Sequence, residues 1–164
     1  MKKILTLIVL LTSSYMANAQ AYTGKGDTKI QIGAAIQDLA TGINATYDIG
    51  VGQNISFGIA ASYLLDVNEY VDADFGDRFD IKGRFNANLQ DVLNICDCFD
   101  LYPGLNISLR NFGGHLGTRY FFTDGFGLYA EGNFPLAKYN TDHLTPAEHL
   151  NNQFVLTFGA SFNF

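Results

Sequence analysis

Gln153-Phe-Val-Leu-Thr-Phe-Gly-Ala-Ser-Phe-Asn-Phe164 is the stretch whose reading decides the fold. Its even positions are apolar and mostly bulky: Phe154, Leu156, Phe158, Ala160, Phe162 and Phe164. Its odd positions are mostly small or polar: Val155, Thr157, Gly159, Ser161 and Asn163. Successive side chains of a strand point to opposite faces, so a period of two describes a strand with one oily face and one wettable face.

Working back from that segment, the same rhythm recurs over 29–37, 42–51, 55–65, 78–88, 99–109, 114–122 and 126–134. These stretches predict eight strands in all, each near the roughly 9–11 residues that a tilted membrane-spanning strand needs. The rhythm breaks at 38–41, 52–54, 66–77, 88–98, 110–113, 123–125 and 135–152, which predict the connections. Leu89, Val92, Leu93 and Ile95 suggest a helical turn or compact loop within 88–98. Pro103 lacks a backbone N–H and predicts a local bulge in the fifth strand. If both chain ends lie on one side, the connections 52–54, 88–98 and 123–125 share it. The connections 38–41, 66–77, 110–113 and 135–152 lie opposite. The 88–98 connection is long for its side, and 110–113 is short for its own.

Alternation alone fits a membrane barrel and a soluble one, which differ in the face turned inward. Size separates them. The interior of an eight-stranded barrel is just wide enough to be filled by side chains. The Phe, Tyr, Ile and Leu residues of every strand share one face, while Gly, Ala, Ser, Asn and Thr dominate the other. The bulky set suits the outer circumference and the small set the lumen. Charge agrees: Lys29, Asp48, Asp80, Lys82, Arg84, Asp100, Arg119 and Glu131 all fall on the small face. Each cation at the lipid midplane would cost roughly 2–4 kcal/mol. The sequence has no Trp, so interfacial girdles would be built from Tyr63, Phe79, Tyr120, Phe122, Phe126 and Phe134. The 123–125 turn puts Phe122 opposite Phe126 and leaves Arg119 diagonal to Glu131, which predicts a lumen ion pair between them.

The opening Met1-Lys-Lys3, the apolar run Ile4–Leu11 and the Ala17-Asn-Ala19 site fit a secretory signal peptide cleaved after Ala19. The expected division is therefore a signal peptide over 1–19 and a barrel domain over 20–164. The apolar run is shorter than the roughly 20 residues of a transmembrane helix. The chain carries 10 Lys and Arg against 16 Asp and Glu, and removal of Lys2 and Lys3 makes it more acidic still. Nucleic acid is not an expected partner, because phosphate binding needs clustered Lys and Arg. Cys96 and Cys98 are the only cysteines. With no His nearby they fall short of a metal site, and they read as free or adventitiously oxidised thiols in a turn.

The stretches Phe99-Asp-Leu-Tyr-Pro-Gly-Leu105, Gly117-Thr-Arg-Tyr-Phe-Phe122 and Gly127-Leu-Tyr-Ala-Glu-Gly132 resemble the recurring strands of small outer membrane protein β-barrel domains. The architecture is similar to that of the OmpA, OmpX and OmpW barrels. The closing strand with its final Phe164 resembles the signal by which the barrel-assembly machinery recognises such proteins. The resemblance implies location in the cell outer membrane, outer-membrane lipid around the barrel and insertion by that machinery. It puts the end carrying both termini in the periplasm. It implies no single activity.

Candidate chemistry is sparse. Some eight-stranded barrels are lipid-modifying enzymes using Ser, His and a carboxylate. Here His115 and Glu131 fall on neighbouring strands but both face the lumen, and His143 and His149 lie in the last long loop with no Ser beside them. Asp72, Asp74 and Asp77 depart from a calcium loop, with Gly at the fifth position and no closing Glu. A solvated acidic loop or weak divalent bridging to lipopolysaccharide both fit. The expectation is an all-β, eight-stranded, up-and-down transmembrane barrel, monomeric, with no enzymatic activity, metal or cofactor. Its role would be structural or surface-exposed, through loops 66–77 and 135–152. The alternatives are a narrow channel for small solutes and a soluble barrel that binds an apolar ligand.

Overall fold

The structure, a computed structural model, describes residues 19–140 and 145–164. The signal peptide expected over 1–19 falls, apart from Ala19, outside the described residues, as does His143.

Eight strands form one closed antiparallel barrel in sequence order. They are β1 (Thr28–Gln37), β2 (Ala40–Gly50), β3 (Ile55–Val67), β4 (Phe79–Ala87), β5 (Phe99–Ser108), β6 (Asn111–Thr123), β7 (Phe126–Lys138) and β8 (Val155–Asn163). Barrel closure pairs Lys29–Gln37 of β1 with Val155–Asn163 of β8. Two short helices, α1 (Phe75–Arg78) and α2 (Gln90–Leu93), sit in the connections before and after β4.

The oily face is outside. Phe57 is 52% exposed, Ile59 57% and Phe158 45%. Phe57 and Phe85 touch with ring centroids 5.1 Å apart, on the outer wall rather than in a dry centre. Lys29, Asp48, Asp80, Arg84, Asp100, Arg119 and Glu131 are all buried. The barrel interior is therefore polar, which removes the soluble reading with an apolar-lined cavity.

Aromatic clusters mark the two ends of the apolar wall. Tyr120, Phe122, Phe126 and Phe162 form a chain of ring contacts, with successive centroids 5.2, 6.3 and 5.8 Å apart, at the end carrying the termini. Tyr63, Phe75 and Phe79 do the same at the opposite end, at 5.5 and 6.0 Å. Tyr63 and Tyr120, each an apolar ring with a polar hydroxyl, suit such boundaries between apolar and wet surroundings.

Several details depart from expectation. Pro103 causes no bulge, since β5 keeps an unbroken register with β6 from Phe99 to Ile107. The β4–β5 ladder instead ends at Asn86↔Gly104, so Pro103 lies just beyond it. The turn expected at 110–113 contracts, because β6 begins at Asn111. Likewise β7 runs through Pro135 to Lys138, with a register shift against β6 that absorbs the proline. Cys96 and Cys98 are joined in a disulfide, the oxidised of the two forms expected for them. The turn that brings the Phe99 N–H onto the Cys96 carbonyl at 3.1 Å holds their Cα atoms 5.3 Å apart, a spacing a disulfide spans.

Candidate functional site: the filled lumen and its two closures

Arg84 of β4 is the hub of the lumen. Its Nη2 lies 2.6 Å from Oε2 of Glu131 on β7, and its Nε lies 3.3 Å from Oδ1 of Asp48 on β2. One guanidinium thus ties together strands far apart in the sheet. Asn133 donates to Glu131 Oε1 at 2.9 Å. His115 Nε2 lies 2.7 Å from Asn86 Oδ1, and its Nδ1 lies 3.2 Å from Asn106 Nδ2. Arg84 Nη2 lies 3.4 Å from the same Nε2, so both ring nitrogens have polar neighbours. His115 is therefore a hydrogen-bonded member of the packed lumen.

A second cluster lies nearer the termini. Arg119 donates to Asp100 Oδ2 from Nη2 at 2.8 Å and from Nε at 3.1 Å. It also donates from Nη2 to Asn88 Oδ1 at 2.5 Å. Its guanidinium carbon sits 4.6 Å from the Tyr102 ring centroid, while that of Arg84 sits 5.9 Å from the same ring. Tyr102 separates the clusters as an aromatic shelf between two cations.

The ion pair expected between Arg119 and Glu131 is not formed. Asp100 stands directly across from Arg119 in the β5–β6 register, whereas Glu131 is set against Gly117. A direct cross-strand neighbour is closer than a diagonal one. Arg84 then takes Glu131 from across the lumen, a contact that strand order alone does not reveal. Small residues make room for the large ones. A side chain at Gly117 would run into the Tyr102 ring, and one at Gly104 into the His115 ring. Large and small residues thus interlock in the lumen as in other small barrels.

The end carrying the termini is closed by residues before β1. The sequence marks Ala21–Asp27 only as a polar lead-in, yet Ala21, Tyr22 and Asp27 are buried. The Tyr22 N–H donates to Gln90 Oε1 at 2.6 Å. Its hydroxyl donates among the Gly52 and Ile55 carbonyls, at 3.0 and 2.7 Å. The Ala21 N–H meets the carbonyl of Asp97, between the two cysteines, at 2.7 Å. Ala19, Ala21 and Phe121 pack together against Cys98. Lys29 Nζ pairs with Asp27 Oδ1 at 2.6 Å. Burial, followed by the Asp27 carboxylate, pushes the Tyr22 hydroxyl up to about 12. The unusual length of 88–98 now has a reason: α2 and the disulfide turn form a seat for the N-terminal segment.

The opposite end is closed by the last long connection. Leu150 and Ala147 are buried against Ala40, Leu64 and Val71. Asn111 Nδ2 donates to the Asn151 carbonyl at 3.2 Å and to Asn152 Oδ1 at 3.0 Å. The acidic connection caps its own helix: the Asp74 N–H donates to Asp77 Oδ2 at 3.2 Å, and the Asp77 N–H donates to the Asp74 backbone carbonyl at 3.1 Å. Asp77 also lies 3.8 Å from Arg110. Between the closures, a cavity of about 20 Å³ is lined by residues including Glu131, Asn133, Lys82 and Thr157. That is space for about one water molecule. Phe164, the expected assembly signal, is 79% exposed and its N–H bonds the Thr28 carbonyl at 3.0 Å.

Comparison with known proteins gives the fold a context. The N-terminal β-barrel domain of Pseudomonas aeruginosa OprF is similar with a TM-score of 0.54 and 12% identity, over 87% of this chain and 100% of that one. Outer Membrane Protein G from Pseudomonas aeruginosa gives a TM-score of 0.48 and 13% identity, over 87% of this chain and 99% of that one. No curated protein matches. The model of a family of unknown function, DUF6646, matches residues 12–164.

Proposed function

We propose that this chain, which belongs to the family of unknown function DUF6646, is an outer-membrane β-barrel with a structural or surface-exposed envelope role and no enzymatic activity. The observation that carries this reading is the inverted barrel. An outer wall of Ile, Leu, Phe and Tyr is exposed while the ionic groups of the strands are buried inside. In water that wall is a large apolar patch with nothing to cover it, whereas in lipid it is at home. The eight-stranded fold shared with the OprF barrel domain supports the same reading.

On this reading the barrel is a monomer surrounded by outer-membrane lipid. β8, with its apolar Phe158 and Phe162 and the following Phe164, is the strand presented to the assembly machinery. The closed lumen favours a structural role over a narrow channel. Fractionation with heat-modifiable gel mobility tests the location: the protein is expected in the outer membrane, running faster unheated than boiled. Recovery in a soluble fraction would contradict it. Planar-bilayer recording tests the role: no steady conductance is expected, and reproducible unitary steps would favour the channel.

A further inference from the structure

We propose that the disulfide between Cys96 and Cys98 is a redox latch on the closure at the end carrying the termini: its reduction loosens the segment ahead of β1 and uncovers that mouth of the barrel. The latch acts through Asp97, the residue that the disulfide encloses. The Asp97 carbonyl accepts the Ala21 N–H at 2.7 Å. Cys98 packs against Ala19, Ala21 and Phe121, and its carbonyl accepts the Phe121 N–H at 2.8 Å. The covalent link thus sits directly under the segment that it holds. None of these contacts depends on what surrounds the outer wall.

Little else fixes Asp97. Asn94, Ile95 and Asp97 are exposed, and a stretch with few buried contacts opens locally at small cost. Beyond the turn bond from the Phe99 N–H to the Cys96 carbonyl, the disulfide is what holds the Asp97 carbonyl toward Ala21. Cys96 and Cys98 are only partly buried, so a dithiol in the aqueous phase can reach the bond. One thiolate of the dithiol attacks Sγ of either cysteine, and the other cysteine leaves as a thiolate and takes up a proton. The second thiol of the dithiol then resolves the mixed disulfide. The protein gains two electrons and two thiols, and the dithiol becomes a disulfide. The Tyr22 anchors on Gln90, Gly52 and Ile55 lie outside the disulfide loop, so reduction raises the open fraction without unfolding the barrel. The Tyr22 ring lies 5.9 Å from Lys29 Nζ and 6.0 Å from the Arg119 guanidinium carbon. Departure of the segment therefore bares two lumen cations at that mouth.

Limited trypsin digestion of the full chain tests this, with the barrel folded in detergent, checked by heat-modifiable mobility, and compared with and without dithiothreitol. Lys25 lies exposed in the segment, and Lys138 lies exposed at the opposite end as an internal control. Reduction, verified by alkylation of both thiols, should speed cleavage after Lys25 about tenfold, as expected for the loss of roughly one hydrogen bond. Cleavage after Lys138 should not change. The Ala21 amide should exchange with deuterium faster by the same factor. A chain carrying both Cys96→Ser and Cys98→Ser should be cut after Lys25 at the fast rate with or without dithiothreitol. The reduced wild type and the double variant each decide alone, so a variant that fails to fold leaves the test intact. The proposal is overturned if Lys25 stays as protected in the reduced wild type or the double variant as in the oxidised barrel. It is also overturned if cleavage after Lys25 and Lys138 speeds up together, which marks general loosening, or if the double variant still responds to dithiothreitol.

Discussion

At the scale of the residue, Arg84 carries more of the lumen than any other side chain, because two buried carboxylates depend on it. Removing one partner of a buried pair strands the other charge, at a cost of about 3–5 kcal/mol. Arg84→Met should therefore lower the temperature at which unheated gel mobility converts to the boiled form. Adding Glu131→Gln to the same chain should recover part of that loss. A variant as heat-stable as the wild type would show that the network contributes nothing to stability. Gly117 makes a steric prediction. Gly117→Val should prevent folding by striking the Tyr102 ring, and Tyr102→Ser in the same chain should restore heat-modifiable mobility. If the double variant stays unfolded, the interlocking of large and small lumen residues is the wrong explanation.

At the scale of the element, the strands were legible because each buries one face and exposes the other, which leaves a period of two in the sequence. All eight lie where the alternation puts them. Their ends were less legible: the extension of β7 through Pro135 depends on its pairing with β6, not on its own residues. The charged residues of the lumen were legible as a set but not as pairs. Pairing across an enclosed space follows from curvature and tilt, so the diagonal placement of Arg119 and Glu131 does not reveal that Arg119 pairs with Asp100 and Glu131 with Arg84. Ala21–Asp27 was illegible as a closure because its burial comes from α2 and the disulfide turn.

That closure has its own pH dependence. The Tyr22 hydroxyl is raised from 10.0 to about 12 in the folded barrel. Its neutral form is therefore favoured by folding, and the stability it contributes is full below pH 10 and falls as pH rises toward 12. Limited proteolysis should release the N-terminal segment in that window, and Tyr22→Ala should release it already at neutral pH. Equal protection across the window would count against Tyr22 as the anchor. The ladders also differ. Amides in the short β4–β5 ladder should exchange with deuterium before those of the β1–β8 closure, since local opening begins where few bonds hold. Exchange starting at β1–β8 would place the weak seam elsewhere.

At the scale of the whole molecule, the barrel is a solid pillar with an oily jacket. Its lumen is occupied by ionic and amide side chains and its two mouths are covered by the chain's own segments. The lumen cavity of about 20 Å³ does not form a path for a hydrated solute. The exposed wall would drive aggregation in water, and burying it in lipid relieves that at roughly 25 cal/mol per Å². Polar lumen, apolar wall and aromatic ends are thus one arrangement serving one solvent.

The absence of Trp from the sequence provides the most direct measurement. Single Trp residues placed at Ile59, Ile81 and Phe158, all outward in the structure, are read by fluorescence in vesicles of lipids brominated along the acyl chain. Strong quenching by the brominated chains and weak quenching by aqueous acrylamide at every position are predicted. Ready quenching by acrylamide, with no effect of the brominated lipid, would contradict a wall that faces the bilayer.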